Sequence, residues 1–194
     1  MKKSTIIVIA VAAIVVIWGI SGYNGLVSGE ETVGNAWANV EASYQRRADL
    51  IPQLVNTVKG YAKHEKSTLE EVVAARSKAT QMTISVDDLS EENMRKYQQA
   101  QGEIGAALGR LMAISESYPE LKANENFSEL QAQLEGTENR INEARKTYNA
   151  SVKAYNVSVR RFPNNILASL FGFDRKVEFK AAEGADKAPE VSFD

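Results

Sequence analysis

The sequence predicts an all-α protein, with an N-terminal transmembrane helix followed by an antiparallel bundle of long helices of the four-helix-bundle type. Two observations lead to this fold class. Residues 4–23 are almost wholly apolar and follow a lysine pair, and the rest of the chain repeats its hydrophobic residues at helical spacing rather than alternating as strands do. Residues 24–173 suffice for one domain with a single core, and we expect residues 174–194 to form a flexible tail.

The apolar N-terminal segment is the first predicted element. A helix rises about 1.5 Å per residue, so roughly 20 residues cross the ~30 Å hydrocarbon layer, and residues 4–23 supply that length. Trp18 and Tyr23 lie near its end, where aromatic rings favour the membrane interface. The alternative is a cleaved signal peptide with a loose small-x-small site at residues 19–21. We favour the uncleaved anchor because helix-compatible sequence continues downstream.

The charges that flank this segment predict its direction. Lys2 and Lys3 precede it, whereas the first basic residue after it is Arg46. Positively charged flanks remain in the cytoplasm. We therefore expect a single-pass protein of the bacterial inner membrane, with residues 1–3 in the cytoplasm and the helical domain outside it.

Prolines and capping residues predict the helix boundaries of the domain. Pro52 is expected near the start of a new helix, because proline is favoured in the first turn. Ser67 opens a Ser-Thr-Leu-Glu capping box, and Ser90 and Asn126 are the expected caps of the next helix and of the longest one. Pro163 should end that longest helix.

The longest predicted helix has a hydrophobic seam with steps mostly of three and four residues, which is typical of an antiparallel bundle or a coiled coil. The seam consists of Phe127, Leu130, Leu134, Ile141, Ala144, Tyr148, Val152, Tyr155, Val159 and Phe162. The Tyr-Asn pairs at 148–149 and 155–156 are seven residues apart and therefore share one face. We interpret these pairs as structural, with a polar ligand groove as the alternative.

The composition argues against several functions. The formal net charge is −2 and there is no basic tract, so nucleic-acid binding is not expected. The sequence has no cysteine, which excludes disulfides, thiolate metal sites and lipid attachment at cysteine. Its one histidine, His64, lies in a charged stretch, and no glycine-rich phosphate loop occurs. We predict no catalytic, cofactor-binding or metal-binding residue.

Two places have residues suited to contact with a partner. Arg46 and Arg47 lie just before Pro52, where a helix N-terminus would favour acidic residues. They are interpreted either as an ion pair with a glutamate of a neighbouring helix or as contacts to an acidic partner. Near the end of the chain an apolar helical turn should dock on the bundle, and it includes Phe171 and Phe173. These four residues are the candidate partner contacts.

The string Arg-Arg-Ala-Asp-Leu-Ile-Pro-Gln-Leu-Val-Asn-Thr-Val-Lys-Gly-Tyr-Ala-Lys-His-Glu at residues 46–65 resembles the LemA family of bacterial membrane proteins. The similarity extends over essentially the whole chain, including Tyr-Asn-Gly-Leu-Val at 23–27, Arg-Phe-Pro at 161–163 and Phe-Gly-Phe at 171–173. The resemblance implies one transmembrane helix, a long antiparallel bundle, and no established catalytic activity or cofactor. It also implies a membrane-associated accessory role.

These observations together predict a non-enzymatic, membrane-anchored scaffold or adaptor of the cell envelope. Its partners would be the lipid bilayer, through residues 4–23, and another envelope membrane protein. A self-assembling homo-oligomer is the alternative, with the hydrophobic seam or the face bearing Gly102, Gly105 and Gly109 packing between chains. A hydrolase or metal enzyme is the weakest alternative, since it would depend on His64.

Overall fold

A computed structural model describes residues 3–180 of the chain. In these residues the protein is helical and has no strand, so the all-α prediction is confirmed. The helices are α1 (Lys3–Tyr61), α2 (Lys66–Thr80), α3 (Glu91–Ser115), α4 (Pro119–Lys122), α5 (Glu125–Arg160) and α6 (Asn164–Phe171), with a 3-10 turn at Val86–Asp88. The greater part of the expected tail, residues 181–194, lies outside the described residues, as do Met1 and Lys2.

Helix α1 joins the apolar segment to the domain without a break. It has 59 residues, which corresponds to roughly 90 Å of helix. Of the described helices it alone is long and apolar enough to cross a membrane. Its apolar side chains are exposed throughout the first part, namely Ile6, Ile7, Val8, Ile9, Val11, Ile14, Val15, Val16, Ile17 and Ile20. Burial in the domain begins with the half-buried Trp18 and is complete at Leu26.

The expectation that a new helix starts near Pro52 is wrong, because α1 continues through this proline to Tyr61. Proline inside a helix lacks the N–H that would bond to the carbonyl four residues earlier. That carbonyl belongs to Ala48, and it accepts a hydrogen bond of 2.7 Å from Nε of Arg76 on α2. A side chain of the neighbouring helix thus satisfies the group that Pro52 leaves unpaired.

The helix caps agree with the sequence in part. Ser90 caps α3, since its hydroxyl accepts from the backbone N–H of Asn93. The cap of α5 is Asn124 rather than Asn126, and it accepts from the N–H of Phe127 at 3.0 Å. The capping box at Ser67 does not form, because α2 already begins at Lys66.

Contacts at both ends of the domain show that neighbouring helices run in opposite directions. At one end of the α1–α5 pair, Asn124 donates to the hydroxyl of Tyr61 at 2.9 Å. At the other end Gly29 lies against the ring of Tyr155, which would be 3.2 Å from a Cβ at that position. Helices α2 and α3 are likewise antiparallel, joined by ion pairs that link Lys78 with Glu103 at 2.7 Å and Arg110 with Glu71.

The buried side chains form two clusters along α1. The proximal core lies nearer the apolar segment and contains Leu26, Val33, Ala36, Trp37, Val40, Tyr44, Ile84, Leu89, Met94, Tyr97, Ile141, Tyr148, Val152, Tyr155, Val159, Leu167, Ala168 and Phe179. The distal core contains Leu50, Ile51, Leu54, Val58, Ala62, Leu69, Val72, Ala79, Ala100, Ile104, Ala107, Leu108, Leu111, Leu121, Phe127, Leu130 and Leu134. Phe162 departs from the predicted seam, since it is 77% exposed.

Candidate functional site

The candidate site is the face of α5 on which the C-terminal part of the described chain lies. Helix α6 ends at Gly172, whose φ of 76° is in the left-handed region that favours glycine. The chain then continues without regular structure through Lys180. We call residues 173–180 the docked segment. Residues 174–180 are the described part of the stretch that the sequence analysis assigns to a flexible tail, and several of them contact α5.

Two asparagines of α5 hold the backbone of the docked segment. Asn149 donates to the carbonyl oxygen of Phe179 at 3.0 Å and accepts from the N–H of the same residue at 2.8 Å. Asn156 makes the same pair of hydrogen bonds with Lys176, both at 2.9 Å. A side-chain amide can do this because it offers a donor and an acceptor side by side. Each asparagine thus recognises main chain, independent of the side chain it meets.

The spacing of helix and segment explains why two asparagines seven residues apart can act together. Seven residues of α5 rise about 10.5 Å, and the three steps from Lys176 to Phe179 cover about 10 Å when extended. The intervening hydrogen bond comes from the hydroxyl of Tyr148, which donates to the carbonyl oxygen of Val177 at 2.8 Å. The Tyr-Asn pairs therefore form one continuous recognition surface for extended backbone.

Phe179 anchors the docked segment in the proximal core. Its side chain is 6% exposed and stacks on Trp37 with ring centroids 5.9 Å apart. Tyr148 meets it edge-on at 5.4 Å, and the guanidinium of Arg145 lies 4.7 Å from its ring centroid. Aromatic contacts of this kind add to the free energy gained by burial.

A groove of about 1340 Å³ opens between α3 and α5 where the docked segment ends. Its floor includes Tyr44 and Arg47, and Val177 and Lys180 line one end. The α5 wall presents Asn142, seven residues before Asn149 and so on the same face. In the described part of the chain Asn142 is exposed and has no hydrogen-bond partner. The series of asparagines thus continues into an open groove.

Arg47 lies at the junction of the two cores and is 3% exposed. One guanidinium nitrogen donates to Oε1 of Glu138 at 2.7 Å, and another donates to the carbonyl and side-chain oxygens of Gln101 at 3.0 and 2.7 Å. Of the two interpretations of this arginine, the structure contains the ion pair with a neighbouring helix. Glu138 is 44% exposed at the side chain and brings this network to the groove.

The other candidate contacts lie apart from the groove floor. Arg46 is exposed and donates to Gln133 at 3.2 Å. Phe171 is 55% exposed, with its ring centroid 5.0 Å from that of Tyr23, and the half-buried Phe173 lies 5.6 Å from the same ring. The structure therefore does not bring the arginines and phenylalanines into one site.

Comparison with known proteins gives a family match over residues 36–193, to the family described as the LemA family. This span covers most of the chain. The chain belongs to the LemA family. The resemblance stated from residues 46–65 is thereby confirmed.

Individual relatives of this LemA-family chain include magnetosome proteins. It is 27% identical to Magnetosome protein MamQ 1 of Paramagnetospirillum magneticum over 181 residues, which are 84% of this chain and 66% of that protein. The match to Magnetosome protein MamQ of Magnetospirillum gryphiswaldense is 27% over 187 residues, 88% of this chain and 68% of the relative. Protein LemA of Metamycoplasma hominis is 24% identical over 160 residues, 82% and 69% of the two chains.

Burial changes the acidity of the tyrosines around the LemA docked segment. Loss of hydration raises the pKa of Tyr148 and of Tyr97 well above the ordinary value of 10. The same cause, with Glu30 and Asp174 adding negative charge nearby, raises the pKa of Tyr155 to about 12. These phenols stay neutral at physiological pH, so they act here as packing groups, and Tyr148 also acts as a hydrogen-bond donor.

No described part of this LemA chain offers a metal site or a histidine-centred relay. Residues 3–180 contain no group of three or more His, Cys, Asp or Glu side chains that could hold a metal ion. His64 is exposed in the short connection between α1 and α2.

Sequence analysis did not identify one part of the candidate site in this LemA chain, namely the docked segment. Val177 and Phe179 alternate with charged residues from Lys176 to Lys180, which is the pattern of a half-buried extended chain, but we assigned this stretch to the flexible tail. A second signal was present in the two Tyr-Asn pairs, for which a groove was the alternative interpretation. A helix face that binds backbone groups requires an extended partner. Val177 and Phe179 are apolar residues that follow α6 and belong to none of the predicted helices.

Proposed function

We propose that the protein is a non-enzymatic, membrane-anchored scaffold that holds an extended segment of an envelope partner in the groove between α3 and α5. The bilayer contact is the apolar part of α1, residues 4–23. The domain is a four-helix-type bundle of α1, α2, α3 and α5 and lies outside the bacterial inner membrane. The membership of the LemA family and the match to proteins named for the magnetosome support a membrane-associated role.

The unbroken path of α1 supports the anchoring part of this proposal. The exposed apolar side chains end where burial in the domain begins, near Trp18 and Leu26. A continuous helix transmits position and orientation without a hinge, so the groove is held at a fixed height above the bilayer. The lysine pair at the N-terminus supports the direction. A reporter that is active only outside the cytoplasm, fused after Asp194, should be active.

One observation carries the scaffold function, namely that Asn149 and Asn156 each bind both backbone groups of one residue. Main-chain hydrogen bonds with pockets for side chains are the usual way in which proteins bind extended peptides. The docked segment, which is part of the same chain, lies on this face in an extended form and supports the proposal. Asn142 supplies the next donor and acceptor at the same spacing, without an intramolecular partner in the described residues.

The groove around Asn142 favours an extended segment with acidic side chains. Glu138 is paired with Arg47, and Lys96 is paired with Glu92. Five of the residues that line the groove are basic and four are acidic, and the exposed Arg95 forms no ion pair in the described chain. On the α3 wall a Cβ at Gly102 or Gly105 would meet nothing within 4 Å. That wall leaves room for the side chains of a bound segment.

Site-specific photo-cross-linking in intact cells tests this function. A benzoylphenylalanine in place of Gly102 lies in the wall of the groove. The matched control replaces Gly109, which lies seven residues along the same face of α3, beyond the groove lining, and where a Cβ also meets nothing within 4 Å. We expect one heterotypic product from position 102 and none from position 109. Asn142→Ala should reduce this product severalfold.

Two results would contradict the scaffold function. Equal cross-linking from both glycine positions would mean that the groove has no special role. A ladder of homotypic products from position 102 would instead favour the self-assembling alternative, in which a second copy occupies the groove. Arg46, Phe171 and Phe173 stay proposed contacts outside the groove, and charge reversal at the exposed Arg46 should weaken the heterotypic product if this residue contacts the partner.

A further inference from the structure

We propose that α6 is a second membrane contact, embedded in the leaflet on the domain side with Ile166 and Leu170 against lipid. This inference rests on the proposed span of α1. It concerns a different surface from the groove, and its ligand is the lipid bilayer rather than a polypeptide. Three observations lead to it, namely the position of α6 along α1, the thickness of a bilayer, and the chemistry of the two exposed sides of α6.

Helix α6 packs directly against the end of the apolar segment. A Cβ at Gly22 would come within 2.6 Å of a methyl group of Leu167 and within 3.3 Å of Asn164, so the two helices approach closely there because this residue is glycine. The ring of Phe171 meets that of Tyr23 edge-on at 5.0 Å. The position of α6 relative to the span is therefore fixed by packing.

Bilayer thickness places this contact inside the membrane. The ~30 Å hydrocarbon layer requires about 20 residues of helix, the distance from Ser4 to Tyr23. If the hydrocarbon layer ended at Trp18, where burial of α1 begins, only about 15 residues or ~22 Å of helix would cross it. The final ~7.5 Å of the layer therefore lies at the level of α6. Interfacial helices bury their apolar side to about this depth, roughly 5–10 Å.

The exposed surface of α6 has one apolar side and one polar side. Leu167 and Ala168 face the domain and are buried. Ile166 and Leu170, four residues apart and so on one side, are 54% and 72% exposed. The adjacent side of the exposed surface, about 100° around the helix, bears Asn165 and Ser169, both also exposed. An exposed isoleucine and leucine on one side suit lipid tails, whereas the asparagine and serine suit headgroups and water.

The flanks of α6 complete the pattern of an interfacial helix. No charged residue occurs from Phe162 to Phe173, and Phe162 adds a ring that is 77% exposed. Arg160, Arg161 and Arg175 lie just outside this uncharged stretch and are exposed. Long basic side chains at the edge of an apolar element reach to the lipid phosphates. Phe162 was predicted to be buried in the seam of the longest helix, and a contact with lipid explains why it is exposed instead.

The natural absence of cysteine allows a direct test of depth in the full-length protein. Single cysteines at Leu170 and at Ser169 are labelled with a polarity-sensitive nitrobenzoxadiazole dye, and the protein is reconstituted in phosphatidylcholine–phosphatidylglycerol vesicles. Some vesicles contain lipid with a nitroxide near the headgroup end of the acyl chain. Both positions are exposed, so the label need not disturb packing. A third label at Ile9, inside the proposed span, reports on the span itself.

We expect a blue-shifted emission and severalfold stronger nitroxide quenching at position 170 than at position 169. Water-like emission at both positions, with the label at Ile9 still quenched, would overturn the inference and leave the span intact. Unquenched dye at Ile9 would overturn the span and this inference together. Equal strong quenching at positions 169 and 170 would also contradict it, because α6 would then have no lipid-facing side. None of these outcomes depends on occupancy of the α3–α5 groove.

Discussion

The proximal and distal cores are built from different side chains and are closed in different ways. The distal core is almost wholly aliphatic, with Phe127 as its one aromatic side chain among the buried members, and the helices α1, α2, α3 and α5 and the short α4 surround it. The proximal core contains six aromatic side chains, namely Trp37, Tyr44, Tyr97, Tyr148, Tyr155 and Phe179. Helix α2 ends at Thr80, so the docked segment and the connection before α3 help to cover this half.

The difference between the two cores explains why the docked segment lies against the proximal one. Interlocking aliphatic side chains between helices leave little space into which another chain segment could bind. Where a helix is missing, large rings fill the space, and asparagines bind an extended chain in place of a helical neighbour. The proximal half is therefore the part of the domain in which an extended segment can be held, and the distal half supplies a rigid frame for it.

The largest expected effect comes from Trp37→Ala in the proximal core. The side chain is 1% exposed, donates to the carbonyl of Ile84 at 3.1 Å and stacks on Phe179. Its removal should lower the free energy of unfolding by about 4 kcal/mol and should raise hydrogen exchange in residues 176–180. Leu54→Ala in the distal core should cost about 3 kcal/mol without selective exchange there. Equal hydrogen exchange of residues 176–180 in both variants would contradict this distinction between the two cores.

Next in size is the network at the junction of the two cores. Glu138→Ala should cost about 3 kcal/mol, because it leaves the charge of Arg47 buried without a carboxylate, with the oxygens of Gln101 and the ring of Tyr44 as its remaining partners. Arg47→Met should cost less, about 1–2 kcal/mol, because Glu138 is 44% exposed at the side chain and can be hydrated. Urea unfolding of both variants measures the difference. The opposite order would mean that packing of the arginine outweighs its charge.

A smaller effect tests the asparagine series itself. Asn149→Ala removes two hydrogen bonds to Phe179 and should cost about 2 kcal/mol, with faster hydrogen exchange at residues 176–180. Asn142→Ala is the matched change one heptad away, and it should cost under about 0.5 kcal/mol, since this side chain has no partner in the described residues. If both substitutions cost the same, the asparagines act through helix stability and not through the docked segment.

Sequence reasoning predicted the all-α fold and the helix that is long and apolar enough to cross a membrane, because both depend on periodic or continuous hydrophobicity. Of the ten predicted seam positions, the nine from Phe127 to Val159 are buried or half-buried, and Phe162 is exposed. The failure at Pro52 has a tertiary cause, since the proline is tolerated inside α1 only because Arg76 supplies a hydrogen bond from another helix. No local pattern contains that information.

The candidate site was harder to predict for a similar reason. The Tyr-Asn pairs were visible in the sequence, but their hydrogen bonds go to residues that lie 20 and 30 positions later in the chain. The asparagines bind backbone groups of Lys176 and Phe179, so the identity of these two residues does not mark them as partners of the asparagines. For the two arginines, the sequence suggested a similarity that the structure does not have. Arg46 and Arg47 are adjacent and were given one role, but Arg46 is exposed and Arg47 is buried.

The smallest expected effect compares the two seam tyrosines. The hydroxyl of Tyr148 donates to Val177, whereas that of Tyr155 is buried without a hydrogen-bond partner in the described chain. Tyr148→Phe should therefore cost about 1 kcal/mol, and Tyr155→Phe should be neutral or slightly stabilising. The pKa of Tyr155 is raised to about 12 from 10, so its contribution to stability is complete below pH 10 and is lost as the pH rises through 12. The free energy of unfolding of Tyr155→Phe should therefore exceed that of the unmodified chain by an increasing amount between pH 10 and pH 12. Urea unfolding at a series of pH values measures this difference. A constant difference would show that the phenol ionises alike in the folded and unfolded chains.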